Sequence, residues 1–238
     1  MFLATHGVLS RTSAFVPPVF ADTYSFEYDG VSDYLDCGSI NAINSTSTVS
    51  VSYWGKKTAS NKYLLLGSQM SSTNGIWLTW WNDGNVYFAA RNGNIGFAAY
   101  ALSFDTNFHH FVGVYNGSSL KIYIDGILRA TSTTSIPSTL SSTAGNDFNI
   151  GYLQSQYASG NIDEPAIFDY ALTSTEVSNM YGSGVPTDIS SLNPVGHWRA
   201  ENGSWDGSKW NVTDSGSGGN DAESVSMTLA SRSTDVPT

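Results

Sequence analysis

Apolar side chains in this chain recur at every second position, in short runs that end at Asn-Gly or Asp-Gly. Between His109 and Thr131, Val112 and Val114 are followed by Leu120, Ile122 and Ile124. Asn116-Gly117 lies between the two runs and Asp125-Gly126 after the second. Successive strand side chains point to opposite faces, and these dipeptides supply the positive φ of tight hairpin turns, so the stretch predicts a three-strand meander. The same alternation predicts strands over 24–28, 33–37, 48–55, 62–69, 75–81, 85–90, 95–101, 109–115, 119–124, 127–132, 147–152 and 161–168. Further turns fall at Asp29-Gly30, Asp83-Gly84 and Asn92-Gly93. One helix is expected from Thr173 to Tyr181: Thr173 and Glu176 form a capping box ahead of Val177 and Met180, and Gly182 ends it. Short, evenly spaced strands with one short helix predict an all-β fold, a two-sheet antiparallel sandwich.

The two ends of the chain read differently. Pro17-Pro18 fits neither a helix interior nor a central strand, so residues 1–22 are expected to form an extended N-terminal arm. No Lys or Arg precedes Arg11 and the apolar stretches are interrupted, which reads as an uncleaved arm instead of a secretory leader. Residues 23–185 hold the strands and the helix. Beyond Pro186 and Pro194 the character changes, with Trp198, Trp205 and Trp210 set among Gly, Ser, Asn and Asp, so 186–238 is read as a β-rich C-terminal tail or arm. A segment that small does not build a sandwich alone. It must pack on its own domain or on a neighbouring subunit, and a subunit contact is the simpler expectation.

Composition narrows the function classes. Of 238 residues only 13% are charged, aromatics also reach 13%, and the net charge is −10 with ten Lys and Arg in all. Nucleic-acid binding needs clustered cations to neutralise phosphates and is not expected. No apolar run approaches the length of a membrane span, so membrane insertion is not expected either. Cys37 is single and is read as a small buried apolar residue.

Three stretches resemble the laminin-G-like, concanavalin-A-like family. HHFVGVYNGSSLKIYIDGILRAT resembles its central hairpin, YSFEYDGVSDYLDCGS (Tyr24 to Ser39) its opening strand pair, and Asn149 to Gly184, with GNIDEPAIFDYALTSTEVSNMYGSG, its closing strand and short helix. The resemblance implies a jelly-roll arrangement of the sandwich. VGHWRAENG followed by NVTDSGSGGNDAES also resembles the opening strands of a second copy of the family. Such tails are similar to those behind jelly-roll domains in structural proteins of marine tailed phages.

The resemblance also implies calcium near the first and last strands. Asp29, the Gly30 carbonyl, Asp33 and Asp163 are the expected ligands, since calcium takes six to eight oxygens in loose geometry. Retaining glucanases of this superfamily carry Glu-x-Asp-x-Glu on one strand, and no such triplet occurs here. Asp163 and Glu164 are adjacent and are expected to face opposite ways, so no catalytic residues are assigned and the protein is read as a non-enzyme. His109 and His110 are read as structural. The run IWLTWW places either Trp80 or Trp81 outward, and a glycan contact is expected there with Asn82, Asp83 and Arg91 as polar partners.

Together these readings predict a non-enzymatic structural protein of a phage virion, a capsid decoration, fibre or exposed coat component. Its arms would join sister subunits, as a homo-oligomer, and other virion proteins, while the lectin-like sandwich holds host-surface glycan. The alternative is a secreted or cell-surface carbohydrate-binding module. The fold itself decides between neither, because this scaffold serves many functions.

Overall fold

A computed structural model of the chain describes residues 20–68 and 74–238. The alternating runs become strands β1 (Ser25–Asp29), β2 (Tyr34–Asp36), β3 (Val49–Lys57), β4 (Leu64–Ser68), β5 (Asn74–Trp80), β6 (Asn85–Asn92) and β7 (Asn94–Ala101). The meander supplies β8 (His109–Tyr115), β9 (Leu120–Ile124) and β10 (Ile127–Ser132), followed by β11 (Phe148–Ile150), the small hairpin β12 (Tyr152–Leu153) and β13 (Gln156–Tyr157), and the long β14 (Ser159–Phe168). Helix α1 (Ser174–Tyr181) starts on the Thr173–Glu176 capping box, and Gly182, at φ 57°, ends it in the left-handed conformation glycine tolerates. The last segment adds β15 (Gly196–Trp205), β16 (Trp210–Asp214), β17 (Ala222–Val225) and β18 (Arg232–Ser233).

One layer of the sandwich runs β10-β9-β8-β3-β14, with β1 and then β18 continuing beyond part of β14; the other runs β16-β17-β2-β11-β4-β5-β6-β7. All these pairings are antiparallel. The core between the layers is filled by the inward residues of each strand, among them Ile76, Leu78 and Trp80 of β5 and Phe88 of β6. A second apolar cluster lies on the other side of the first layer, where Val177 and Met180 of α1 cover Val112, Val114 and Phe168. Among the described residues no helix is long and apolar enough to cross a membrane.

The tail does not wait for a neighbouring subunit. β15 opens beside β14, with His197 opposite Ala166, and closes beside β16, with Trp205 opposite Trp210. β17 then pairs with β2, Val225 opposite Tyr34. Trp198, Trp210 and Val212 are buried in the main core. The stretch that resembles opening strands therefore completes this sandwich, correcting the expected subunit contact. The physical reason is that β2 and β14 would otherwise leave unpaired edges, and the alternate apolar residues of the tail would be left without a core. Of the expected N-terminal arm, residues 1–19 lie outside the described residues, and residues 20–22 run beside β15.

One irregularity positions the chemistry. β1 pairs with Ser159–Ile162 of β14, and β15 pairs with Ala166–Ile167 of the same strand. Between them, β14 bulges: its register on β3 passes from Asp163 opposite Trp54 to Ala166 opposite Ser52, one residue too many. Glu164 carries the distortion at φ 47°. Pro165 follows it, and a proline inside a central strand belongs at such a bulge because it has no N–H to donate.

Candidate functional site

The structure does not bring the four expected calcium ligands together. Asp29 faces Ser159 across β1 and β14, four residues down the strand from Asp163, which at ~3.3 Å per residue is about 13 Å. Asp29 is also occupied. Its Oδ1 accepts hydrogen bonds from the backbone N–H groups of Val31, Ser32 and Asp33 at 2.8, 2.9 and 3.2 Å. Although burial opposes it, those N–H groups hold the carboxyl below its usual range. Gly30, at φ 75°, is needed for the turn, and a Cβ there would come within 2.8 Å of Ser159. Asp33 stays beside Asp29 in a groove with Glu27 and Ser226, and burial together with the Asp29 charge pushes it up to about 6. Asp29, Gly30 and Asp33 thus form a turn, and Asp163 belongs elsewhere.

Asp163 lies in the seam where β14 passes from β1 to β15. It is 1% exposed; its Oδ1 accepts the Glu164 N–H at 2.9 Å and its Oδ2 has no hydrogen-bond partner. The bulge overturns the expectation that Asp163 and Glu164 face opposite ways, because the extra residue breaks the alternation and both carboxylates reach Asp22. Carboxylate oxygens of Asp22, Glu164 and Glu201 lie within 4.8 Å of one another. Glu164 is already satisfied: Oε2 meets His197 Nε2 at 2.6 Å and Oε1 accepts from Arg199 Nε at 2.7 Å. Glu201 Oε1 accepts the N–H groups of Thr23 and Tyr24 at 2.7 and 2.9 Å, while Arg199 Nη2 donates to the Ala21 carbonyl at 2.5 Å. These bonds lay residues 20–24 along β15.

What is left over is carboxyl oxygen with no hydrogen-bond donor, Oε2 of Glu201 keeping a 3.5 Å ion pair to Arg199 Nη2. Both oxygens of Asp22, Oδ2 of Asp163 and Oε2 of Glu201 are buried with no hydrogen bond. Burial first, then the Glu164 and Glu201 charges, push Asp22 up to about 7; burial and the same neighbours, with Asp22, push Asp163 well above its usual range. Sequence reasoning singles out neither Asp22 nor Glu201, and weighs Glu164 only as the carboxylate adjacent to Asp163. The available signals were two charged pairs inside otherwise apolar strands, Asp163-Glu164 and Arg199 with Glu201, and the proline after the first pair.

The expected glycan residues also separate. Trp80 points inward and is fully buried, in ring contact with Phe111 and beneath the Lys57 ammonium, so it has no surface to offer. It follows the Ile76-Leu78-Trp80 alternation, which sends it into the core. Trp81 is outward, half-buried, and edge-on to Tyr63 with centroids 4.8 Å apart. Asn82 donates to the Tyr63 hydroxyl at 2.8 Å, and Asp83 accepts from Asn85 N–H and from the Tyr87 hydroxyl, both at 2.8 Å. Arg91 is not part of this group: it lies at the far end of β6, five residues beyond Val86, roughly 16 Å along the strand. Tyr87 and Phe97, ring centroids 6.2 Å apart, continue the outer face of β6 and β7, and Phe97 is 51% exposed.

The two histidines hold the first layer. His109 Nδ1 meets Asp125 at 2.8 Å and Nε2 meets Asp105 at 3.2 Å. His110 is buried, stacked on Trp54 at 4.9 Å, and its Nδ1 has no partner.

The fold has known relatives. It is similar to a heptameric SAP-like pentraxin from Limulus polyphemus, at 16% identity and a TM-score of 0.55, over 67% of this chain and 82% of that one. It is also similar to a candidate carbohydrate-binding protein from Bacteroides ovatus, at 14% identity and a TM-score of 0.65. That match takes in 92% of this chain and spans 62% of the Bacteroides protein. No curated protein sequence matches. The family model described as the concanavalin A-like lectin/glucanases superfamily, of laminin-G type, matches residues 29–178, in agreement with the hairpin, opening and closing segments, and the chain belongs to that superfamily.

Proposed function

We propose that this chain is a non-catalytic, lectin-like module that holds carbohydrate on the outer face of β5–β7, with calcium bracing the fold instead of bridging to the sugar. The observation that carries the reading is Trp81. Its ring is outward and edge-on to Tyr63, whose hydroxyl accepts from Asn82, and Asp83 accepts from the Tyr87 hydroxyl in the adjoining turn. An aromatic face stacks on the C–H face of a sugar ring, and neighbouring hydroxyl and amide groups set its orientation. The Bacteroides ovatus relative, described as carbohydrate-binding, supports the same class on the same fold.

A non-catalytic role fits the carboxylates. Glycosidases need an acid and a nucleophile or base about 5 to 9.5 Å apart and open to substrate. Asp163 and Glu164 are buried, and Glu164 is spent on His197 and Arg199. Display on a phage particle is a further step of the proposal, carried by residues 1–19 alone, because the tail is taken up by its own sheet. Deleting those residues should then leave a folded domain that fails to join particles.

A glycan array followed by calorimetry tests the main reading. The wild-type chain should bind at least one glycan class, and Trp81→Ala should lose it with the thermal unfolding profile kept. Silence across the whole array would end the proposal.

A further inference from the structure

A strand at the edge of a sheet offers a row of unpaired N–H and C=O groups to any other strand. The sheet path ends at β10 on one side and at β7 on the other, and its side branch ends at β18. Two of these edges are guarded. β10 is bulged between Leu128 and Ala130 and carries the Arg129 cation, and β18 is two residues long. β7 has neither protection. It runs for eight residues, keeps its register on β6 without a break, and contains no charged residue and no proline. Among the described residues β6 is the one strand that pairs with it. Its inward positions Gly96 and Ala98 are buried, and Ile136 closes the core beneath Gly96. Its outward positions Ile95, Phe97, Ala99 and Ala101 are all exposed.

We infer that β7 is the interface of a two-fold dimer, in which it pairs antiparallel with β7 of a second copy of this chain and the sheet continues across the junction. The strand itself describes this occupant. Because side chains alternate, a two-fold pairing sets outward residues opposite outward residues only when it is centred on a residue. Centred on Ala98, it sets Phe97 of each copy opposite Ala99 of the other, and Ile95 opposite Ala101. Large meets small at both positions, and from both sides, since in a two-fold contact each match occurs twice. Charge favours the same place. At a net charge of −10 two copies repel over most of their surface, and an uncharged strand is where they approach at least cost. Pairing also takes the exposed Ile95 and Phe97 side chains out of water.

The pairing has a geometric consequence. Its two-fold axis stands perpendicular to the sheet, so the outer faces of both copies look the same way. The two Trp81 turns then lie about 30 Å apart on one side of the dimer, from strand spacings of ~4.8 Å across the junction and ~3.3 Å per residue along it. A glycan chain of several repeats would be held at two points, and linked sites bind far more tightly than either alone. This consequence rests on the carbohydrate reading above; the pairing does not.

Light scattering on the full chain, with no sugar present, should give twice the monomer mass, and hydrogen exchange over residues 94–101 should slow as protein concentration rises. Phe97→Lys puts a charge into the uncharged strand and should weaken the dimer at least about tenfold. Ala99→Lys, opposite it across the two-fold, should do the same. Both side chains point outward, and the thermal unfolding midpoint of each variant checks that the sandwich is kept. Val31→Lys, exposed in the turn after β1 and away from this edge, should leave the dimer intact. The inference is overturned by a full chain that stays a monomer at every concentration; slow exchange of β7 in that monomer would mean that another segment of the same chain covers the edge. It is equally overturned by a dimer that Phe97→Lys and Ala99→Lys both leave unchanged, which would put the interface elsewhere. Glycan binding, read through Trp81→Ala, succeeds or fails separately.

Discussion

Asp29 and Asp163 stand on neighbouring strands of one sheet, yet one is fully provided for and the other is left bare. Asp29 closes its own turn, and three N–H groups from the next four residues come to its carboxylate. Asp163 is buried beside three other carboxylates, with an oxygen that meets no donor. The histidines repeat the contrast one residue apart: His109 lies between Asp125 and Asp105, while His110 is stacked on Trp54 with a bare Nδ1. Local chain geometry satisfies a polar group cheaply, whereas a group left bare in the interior points to a partner from outside the chain or to a tolerated cost.

The strongest challenge to this contrast is Arg199→Met. It removes the guanidinium that pairs Glu164 at 2.7 Å in a largely buried setting, and breaking such a pair costs about 3–5 kcal/mol. Urea unfolding of the chelator-treated variant should show a loss of that order, and an unchanged midpoint would mean the seam is not short of positive charge.

Next in size is the pH response of the bare histidine. Burial holds His110 down to about 4, so the unfolded chain binds a proton there that the folded one refuses. Its contribution is full above about 6.5 and is lost as pH falls towards 4, by up to about 3 kcal/mol. Unfolding free energies across that window should follow this slope, and His110→Phe should flatten it.

Asp29→Ala should cost less, about 1 kcal/mol, because the turn loses an acceptor that water can partly replace. The loss should be the same with and without calcium, and a calcium-dependent loss would return Asp29 to the metal site. The smallest effect belongs to His109. Burial lowers its pKa, but the hydrogen bond and charge of Asp125, with Asp105, outweigh burial and leave it raised. Its stabilisation is complete below the ordinary histidine value and fades as pH climbs through the raised one, opposite in sign to His110. Following the two ring proton resonances by NMR would separate them, and a His109 that titrates below a free histidine would contradict the pairing.

Much of the fold is legible from sequence because it is written locally. The Asn116-Gly117 and Asp125-Gly126 turns fix the registers of β8, β9 and β10, and Thr173 with Glu176 marks the start of α1. What escapes is non-local or breaks alternation. Glu164 adopts a positive φ without being glycine, so the rule that neighbours diverge misplaces it beside Asp163. Asp22 and Glu201 are far apart in the chain and meet only because β15 lies against β14. Trp81 is legible as outward, but sequence does not reveal that Arg91 ends at the opposite end of β6 from it.

The order in which the sheet is assembled differs from the order in which it is synthesised. β2 leaves the ribosome well before β17, yet takes one of its two neighbours from it. β14 likewise has part of one edge open until β15 exists. The nascent chain must carry the β2 edge exposed until β17 follows, and contacts between such distant residues form slowly. Folding to the closed sandwich is therefore a late event, completed only when the residues up to Val225 are free to move into place. A truncation that looks mild at the C-terminal end would leave a long-lived, aggregation-prone intermediate instead of a slightly shorter domain.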